Sequence, residues 1–244
     1  MKAAIPLIML SMVILFAGCG QTKLAGENIQ LKTDSRPQVA VKAKQSSKAS
    51  KRTLELGDCG VDVLHLNQRL IEQKFLPATW KTTIRSCFED YTYHALIAFQ
   101  KWHQLQADGT FGSESRQQLL RDQKPQLKNQ SKLSGDRIFI LLRRQVLITV
   151  NNGRLQQIIA VSTAAPGYST PIGTHSIYRK EEMSWSIPYS VWLPYASYFI
   201  GGVAMHEYHS VPTYPASHGC VRVPEPFAQR LYRFADLGMV VKVI

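Results

Sequence analysis

The sequence predicts an α+β protein with two folded domains, a small three-helix domain over residues 54–121 and a mainly β domain over residues 137–244. Three observations predict this division. Apolar residues recur at helical spacing in the first segment. Short apolar runs separated by turn residues dominate the second segment. Between them, the polar stretch 122–136 (DQKPQLKNQSKLSGD) is typical of a linker.

Residues 1–18 have the organisation of a signal peptide. Lys2 precedes an apolar run that ends at Ala17, shorter than the roughly 20 residues of a membrane span. The following LFAGC resembles a bacterial lipoprotein signal cleaved before Cys19, which implies a lipid on Cys19. A plain signal peptide with a chance cysteine is the alternative. Both interpretations predict export to the periplasm or cell envelope, and Gly20 favours the outer membrane as the membrane that holds the lipid.

Residues 19–53 are predicted to form a basic flexible tether. They contain many Lys, Gln, Ser and Thr and no aromatic residue, so they cannot bury a core. The whole chain has a formal net charge of +12, which favours a polyanionic surrounding. Acidic lipid and an anionic wall polymer fit an exported chain, whereas export disfavours nucleic acid. A passive spacer remains an equal alternative for the tether.

The segment 54–121 contains three predicted helices. VDVLHLNQRLIEQKFL and YTYHALIAFQKWHQL are amphipathic, DGTFG at 108–112 is a turn, and SESRQQLL begins a third helix. The segment resembles the peptidoglycan-binding domain of type 1, which implies wall binding by analogy. The matching residues are Leu54, Gly57, Asp62, Val63, Leu66, Ala95, Phe99, Gln100, Asp108, Gly109 and Gly112.

The segment 137–244 is predicted to be β with one clear helix. RIFILLRRQVLITVNNGRLQQIIAVST contains three strand-like runs, and NNG at 151–153 is a strong hairpin signal. The chain ends on another strand-like run, MVVKVI. PEPFAQRLYRFADLG is the helix, because Phe227, Leu231 and Phe234 fall on one face.

The sequence contains four cysteines, and three of them have predicted roles outside catalysis. Cys19 belongs to the lipoprotein signal. Cys59 and Cys87 lie in the small exported domain, where a disulfide would add roughly 2–4 kcal/mol. Two separate buried thiols are the alternative, and zinc is disfavoured because neither cysteine belongs to a close pair. Cys220 is then an odd thiol in an oxidising compartment, and such a thiol is a candidate for reactivity.

The residues before Cys220 can support a nucleophilic thiol. His206, His209 and His218 lie within the fourteen preceding residues, and an imidazole can take the thiol proton. The amides of Gly219 and Cys220 are candidate donors to an oxyanion. Two alternatives remain open. One is a metal site formed by the three histidines and Cys220, and the other is a buried structural cysteine.

The second domain resembles the L,D-transpeptidase (YkuD) catalytic domain over about residues 137–244. The matching residues are Ser162, Thr163, Thr170, Pro171, Gly173, His206 and the run Ser217, His218, Gly219, Cys220, Val221 and Arg222. The resemblance implies a reaction in which the thiol attacks a peptidoglycan tetrapeptide stem at its third residue. Terminal D-Ala leaves, and the stem is held as a thioester until an amine accepts it. The resemblance implies no metal and no cofactor.

The same resemblance implies a role for each matching residue. Cys220 is the nucleophile and His206 the general base and acid, while His218, Gly219 and Arg222 support the loop, the substrate or the thiolate. Ser217 shapes the turn and, with Met205 and Tyr198, belongs to the expected substrate-binding residues.

Two departures from the family pattern keep alternatives open. Glu207 follows His206, and Ala164 follows Thr163, where the family usually has Gly. Glu207 could perturb the adjacent imidazole or simply point to solvent, and the second outcome is favoured. His218 and His209 remain alternative bases. The alternative functions are an L,D-carboxypeptidase that uses water, and a weakened, non-enzymatic wall-binding protein. The acceptor and the oligomeric state are left unassigned.

Overall fold

The computed structural model describes residues 52–82, 85–121, 124–125 and 135–244. The predicted signal peptide, Cys19 and nearly all of the tether and linker lie outside these residues. The chain divides into the units Met1–Ser46 and Ser47–Ile244, and all described residues belong to the second unit. No helix in the described residues is long and apolar enough to cross a membrane.

Three helices lie in residues 54–121: α1 (Val61–Glu72), α2 (Asp90–His103) and α3 (Ser113–Arg121). A short 3-10 helix, Ala78–Thr82, follows α1. The Cys59–Cys87 disulfide joins the segments before α1 and α2. Each helix buries its apolar face, and Phe75 and Phe99 meet edge-on with ring centroids 5.5 Å apart.

Gln100 explains how the turn after α2 is held. Its side-chain amide donates to Asp108 Oδ1 at 2.8 Å and accepts from the Gly109 N–H at 2.9 Å. Gly109 has a φ of +75°, and a Cβ at this position would lie 2.1 Å from the Tyr93 ring. Only glycine therefore fits this turn.

Nine strands lie in the described residues and form two sheets. The first sheet has the order β3-β2-β1-β9-β4. Its strands are β1 (Arg137–Leu141), β2 (Val146–Asn151), β3 (Arg154–Ala160), β4 (Gly173–Ser176) and β9 (Val240–Val243). The predicted NNG turn joins β2 to β3, and Asn152 and Gly153 have φ values of 47° and 74°, as a type I′ hairpin requires.

The second sheet has the order β5-β6-β7-β8. Its strands are β5 (Arg179–Ser186), β6 (Val191–Ile200), β7 (Val203–Glu207) and β8 (Val221–Val223). β7 and β8 are parallel, with Met205 opposite Val221 and His206 opposite Arg222. The chain between them carries Cys220, and the predicted helix follows β8 as α4 (Glu225–Phe234).

The helical segment packs against the first sheet within one compact unit. The Lys101 ammonium donates to Val161 O at 2.9 Å and to Gln145 O at 3.3 Å. The Ile158 N–H donates to Lys74 O at 2.8 Å. One hydrophobic core runs from the helices into both sheets.

Candidate active site

Cys220 lies immediately before β8 and beside β7. It is the free cysteine of the described residues. Its sulfur accepts from the Ala204 N–H at 3.5 Å. The side chain packs on a small apolar cluster formed by Leu193, Ala196, Tyr198 and Ala204. The sulfur is therefore held at the end of a strand, in contact with a backbone donor.

His206 follows Ala204 by two residues on β7, so the two side chains share one face of the strand. The imidazole is buried, with 4% of the residue exposed. Its Nδ1 lies 2.7 Å from the main-chain oxygen of Glu207. A carbonyl oxygen only accepts hydrogen bonds, so Nδ1 carries the proton. Nε2 is then the nitrogen with a lone pair.

Burial shifts the pKa values of His206 and Cys220 in opposite directions, and both shifts disfavour a thiolate–imidazolium ion pair. It lowers the pKa of His206 to about 4, and the positive charge of Arg222 acts in the same direction, while the Glu207 carbonyl opposes. Burial also raises the pKa of the Cys220 thiol, against the Ala204 N–H and Arg222. At neutral pH the resting site therefore contains a neutral thiol and a neutral imidazole.

The loop that carries Cys220 is fixed by hydrogen bonds. Ser217 Oγ donates to Cys220 O at 2.5 Å and accepts from the Gly219 N–H at 3.1 Å. The Ser217 N–H donates to Thr163 O at 2.9 Å. Thr170 Oγ1 donates to Gly219 O at 2.7 Å. Two threonines of the segment after β3 thus hold the nucleophile loop.

Position 219 requires glycine, because its backbone has a positive φ and leaves little room for a Cβ atom. Its φ is +141°, and a Cβ would lie 3.1 Å from Ser169 O. The expectation that its amide faces an oxyanion is not met, because that N–H is already bonded to Ser217. Of the two amides considered, the Cys220 N–H is the candidate donor that remains.

Arg222 holds the segment that follows β7. Its guanidinium lies over the Tyr208 ring at 4.3 Å, and Nη1 donates to Ser210 O at 3.4 Å. The Tyr208 and His206 rings in turn meet nearly at right angles, with ring centroids 5.8 Å apart. Arg222 therefore orders the surroundings of His206 and brings a positive charge near both His206 and Cys220.

The other two histidines have different surroundings. His218 is exposed and lies between two tyrosine rings, stacked on Tyr189 and edge-on to Tyr168, each with centroids 4.5 Å apart. His209 is also exposed and lies beside Tyr208. Of the three histidines considered from the sequence, His206 is the buried one.

Met205 does not fit the role expected of it. The residue is 1% exposed and packs in the main core, because strand residues alternate and it faces away from Ala204 and His206. Glu207 lies two residues after Met205 on β7 and is therefore on the same face of the strand. Burial is the main cause that raises the pKa of the Glu207 carboxyl group, and the negative charge of Glu225 adds to it. Tyr198 is a buried member of the apolar cluster that contacts Cys220, and its hydroxyl lies 2.8 Å from Ser184 Oγ.

Two supporting residues, Gln145 and Lys101, carry no signal in the sequence. The Gln145 side chain accepts from the Thr163 N–H at 2.8 Å and donates to Thr163 Oγ1 at 2.7 Å. Lys101 donates to the main chain of the same Gln145. Neither residue belongs to a local motif, so only the three-dimensional fold reveals them. Within the described residues, no group of three or more His, Cys, Asp or Glu side chains is arranged to hold a metal ion.

Comparison with known proteins identifies the family. Residues 135–243 match the sequence profile of the YkuD L,D-transpeptidase catalytic domain. The crystal structure of an L,D-transpeptidase from Xylanimonas cellulosilytica is 30% identical, with a TM-score of 0.69 over 80% of this chain and 98% of that chain. An L,D-transpeptidase from Stackebrandtia nassauensis is 26% identical, with a TM-score of 0.50 over 80% and 96% of the two chains. No curated protein matches the chain. The chain therefore belongs to the L,D-transpeptidase family, and residues 135–243 are its YkuD catalytic domain.

Proposed function

We propose that the protein is a peptidoglycan L,D-transpeptidase with Cys220 as its nucleophile. The observation that carries this proposal is the placement of a free thiol beside β7, on the strand face that also presents a buried, Nδ1-protonated His206. Membership of the L,D-transpeptidase family supports it. The proposed substrate is a tetrapeptide stem, and the proposed product is a new amide bond to an acceptor amine.

In the first half-reaction, Cys220 Sγ attacks the carbonyl of the third stem residue while His206 Nε2 takes the thiol proton. A carbon–sulfur bond forms, and the Cys220 N–H donates to the oxyanion. The bond to terminal D-Ala then breaks, and His206 returns the proton to the leaving amine. The stem remains bound as a thioester.

In the second half-reaction, an acceptor amine attacks the thioester. His206 takes a proton from the amine and returns it to the Cys220 sulfur as the carbon–sulfur bond breaks. The acceptor is proposed to be an amine of a second stem or of an attached protein. Attack by water would instead give a tripeptide, which is the outcome for a carboxypeptidase.

The neutral resting pair fits this sequence of steps. Proton transfer from a thiol to an imidazole whose pKa is about 4 is uphill before substrate binds. Attack and proton transfer are therefore concerted on a bound carbonyl. Arg222 favours the thiolate as it forms, because its positive charge lowers the pKa of Cys220.

The other groups of the site are proposed to support the substrate and the loop. Ser217 and Gly219 fix the turn through their mutual hydrogen bond. His218, between Tyr168 and Tyr189, forms an exposed aromatic rim beside the nucleophile loop. Tyr198 forms part of the floor under Cys220.

We also propose how the enzyme reaches its substrate. Cys19 carries a lipid that anchors the exported protein, with the outer membrane favoured, and residues 19–53 form the basic tether. Residues 54–121 act as the wall-binding module. The motif in this segment and the chain's net charge of +12 support binding to an anionic wall.

Incubation of the purified protein with tetrapeptide-stem muropeptides, followed by mass analysis, tests the reaction. Crosslinked dimers with loss of D-Ala support transpeptidation, tripeptide alone indicates hydrolysis, and an unchanged substrate contradicts both. Cys220→Ala should abolish every product. His206→Ala and the matched His209→Ala separate the proposed base from its exposed neighbour, because only the first should remove activity.

A further inference from the structure

A cavity lies away from Cys220, between α2, the β2–β3 hairpin and α4. Its volume is about 430 Å³, within the roughly 300–1,000 Å³ range of small-molecule sites. The described residues that line it include neither Cys220 nor any of the three histidines near it. The cavity is therefore separate from the proposed catalytic centre.

Gln157 gives this cavity an unused hydrogen-bond donor. The residue is 5% exposed and lines the cavity. Its side-chain nitrogen is buried and has no hydrogen-bond partner among the residues that the structure describes. An unsatisfied buried donor costs about 1–3 kcal/mol, and native proteins contain few of them. A ligand acceptor in the cavity would satisfy it.

The strand that carries Gln157 is irregular at this point. Thr149 pairs with Gln157 but Val150 pairs with Leu155, so the β2–β3 register shifts and leaves Gln156 without an opposite residue. Such bulges redirect side chains and occur often beside functional sites. Both Gln156 and Gln157 line the cavity as a result.

The charge of the cavity wall favours an anion. Arg230 and Arg233 line the cavity from α4, three residues apart on one helix face. None of the described lining residues is Asp or Glu. A guanidinium pairs with a carboxylate, as it does with a phosphate, through two parallel hydrogen bonds, so a small ligand that carries a carboxylate matches this wall.

The remaining wall has the character of a sugar site. The Gln156 and Gln229 amide nitrogens already donate one hydrogen bond each, to Arg154 O at 3.4 Å and to Tyr195 Oη at 3.2 Å. Each amide keeps a second N–H and an oxygen acceptor that can bond hydroxyl and acetamido groups. Tyr91 and Phe234 are the aromatic residues that line the cavity, and aromatic side chains can pack against the apolar face of a sugar ring. We propose that this cavity is a non-catalytic site for an acidic amino sugar, a pyranose that carries a carboxylate and an acetamido group.

N-acetylmuramic acid is the probe, and N-acetylglucosamine is its matched control without the carboxylate. Binding to the full chain is measured by saturation-transfer NMR and calorimetry. The acidic sugar should bind at least tenfold more tightly than the neutral one, and the double variant Arg230→Ala/Arg233→Ala should remove that preference. Arg154→Ala, at an exposed position of β3 outside the cavity, should leave it intact.

Gln157→Leu separates binding from folding. Leucine removes the unsatisfied donor, so the melting temperature should be unchanged or higher while sugar affinity falls at least fivefold. Equal affinity for the two sugars, no binding of either, or full affinity in Gln157→Leu would each overturn the proposal. Cys220→Ala should abolish turnover and retain sugar binding, so failure of the proposed catalytic function and failure of this site give different results.

Discussion

Burial of Lys101 predicts that the free energy of unfolding increases as the pH rises above neutrality. The residue is 7% exposed, and burial lowers the pKa of its ammonium from 10.5 to about 7. Between these two values the unfolded chain keeps a proton that the folded chain has lost, so the free energy of unfolding rises with pH. One pH unit corresponds to about 1.4 kcal/mol. Over about two pH units above neutrality, Lys101 should therefore contribute roughly 3 kcal/mol of added stability.

Urea unfolding of the wild type and of Lys101→Met at several pH values between neutral and mildly alkaline measures this contribution. The difference in unfolding free energy between the two proteins should change with pH by the stated amount, because methionine does not titrate. Lys242→Met, at an exposed position of β9, should follow the wild type. Parallel pH curves for the wild type and Lys101→Met would refute the reasoning. They would show that the two carbonyl acceptors keep the buried ammonium charged.

Three further predictions concern the thiol, the base and the disulfide. Alkylation of Cys220 by iodoacetamide should be slow at neutral pH and should accelerate about tenfold per pH unit to at least pH 9, because burial raises the thiol pKa above 9.0. A rate plateau below neutral pH would instead indicate a preformed ion pair. His206→Gln should lower kcat/KM by about 10²-fold or more, and the acid limb of the wild-type profile should lie near pH 4; an inflection near 6.5 would contradict the buried neutral base. The Cys59–Cys87 bond links residues 28 positions apart, and its reduction in the Cys220→Ala variant should lower the unfolding free energy by about 3–4 kcal/mol. An unchanged denaturation midpoint would be evidence against that contribution.

Features set by neighbouring residues were predictable from the sequence. The NNG turn forms the β2–β3 hairpin because Asn and Gly tolerate the positive φ values it needs. The helix after β8 forms where Phe227 and Leu231 mark a buried face. The YkuD resemblance, which rests largely on the continuous run around Cys220, is confirmed by the family match over 135–243. The peptidoglycan-binding resemblance of residues 54–121 stays a prediction.

Features set by distant residues were not predictable. Lys101 lies in an amphipathic helix, where a lysine is expected to face water, but its two acceptors come from 44 and 60 residues further along the chain. The protonated nitrogen of His206 is determined by where a neighbouring carbonyl points. Met205 is expected among the substrate-binding residues, but the alternation of β7 turns its side chain into the main core.

The contact between Lys101 and the first sheet bears on how this architecture can be rearranged. A gene fragment that starts after residue 134 would encode the whole YkuD match, but its product would lose the Lys101 side chain that donates to the Val161 and Gln145 carbonyls. It would also expose the part of β3 that packs against α2, and the Ile158 N–H would lose its acceptor, the Lys74 carbonyl. An unrelated module grafted in place of residues 54–121 would have to supply a matching donor and a matching apolar face. The start of the YkuD match is therefore an unsuitable truncation point for this chain. Chimaeras of the two segments should fold only when both parents keep the residues on each side of this contact.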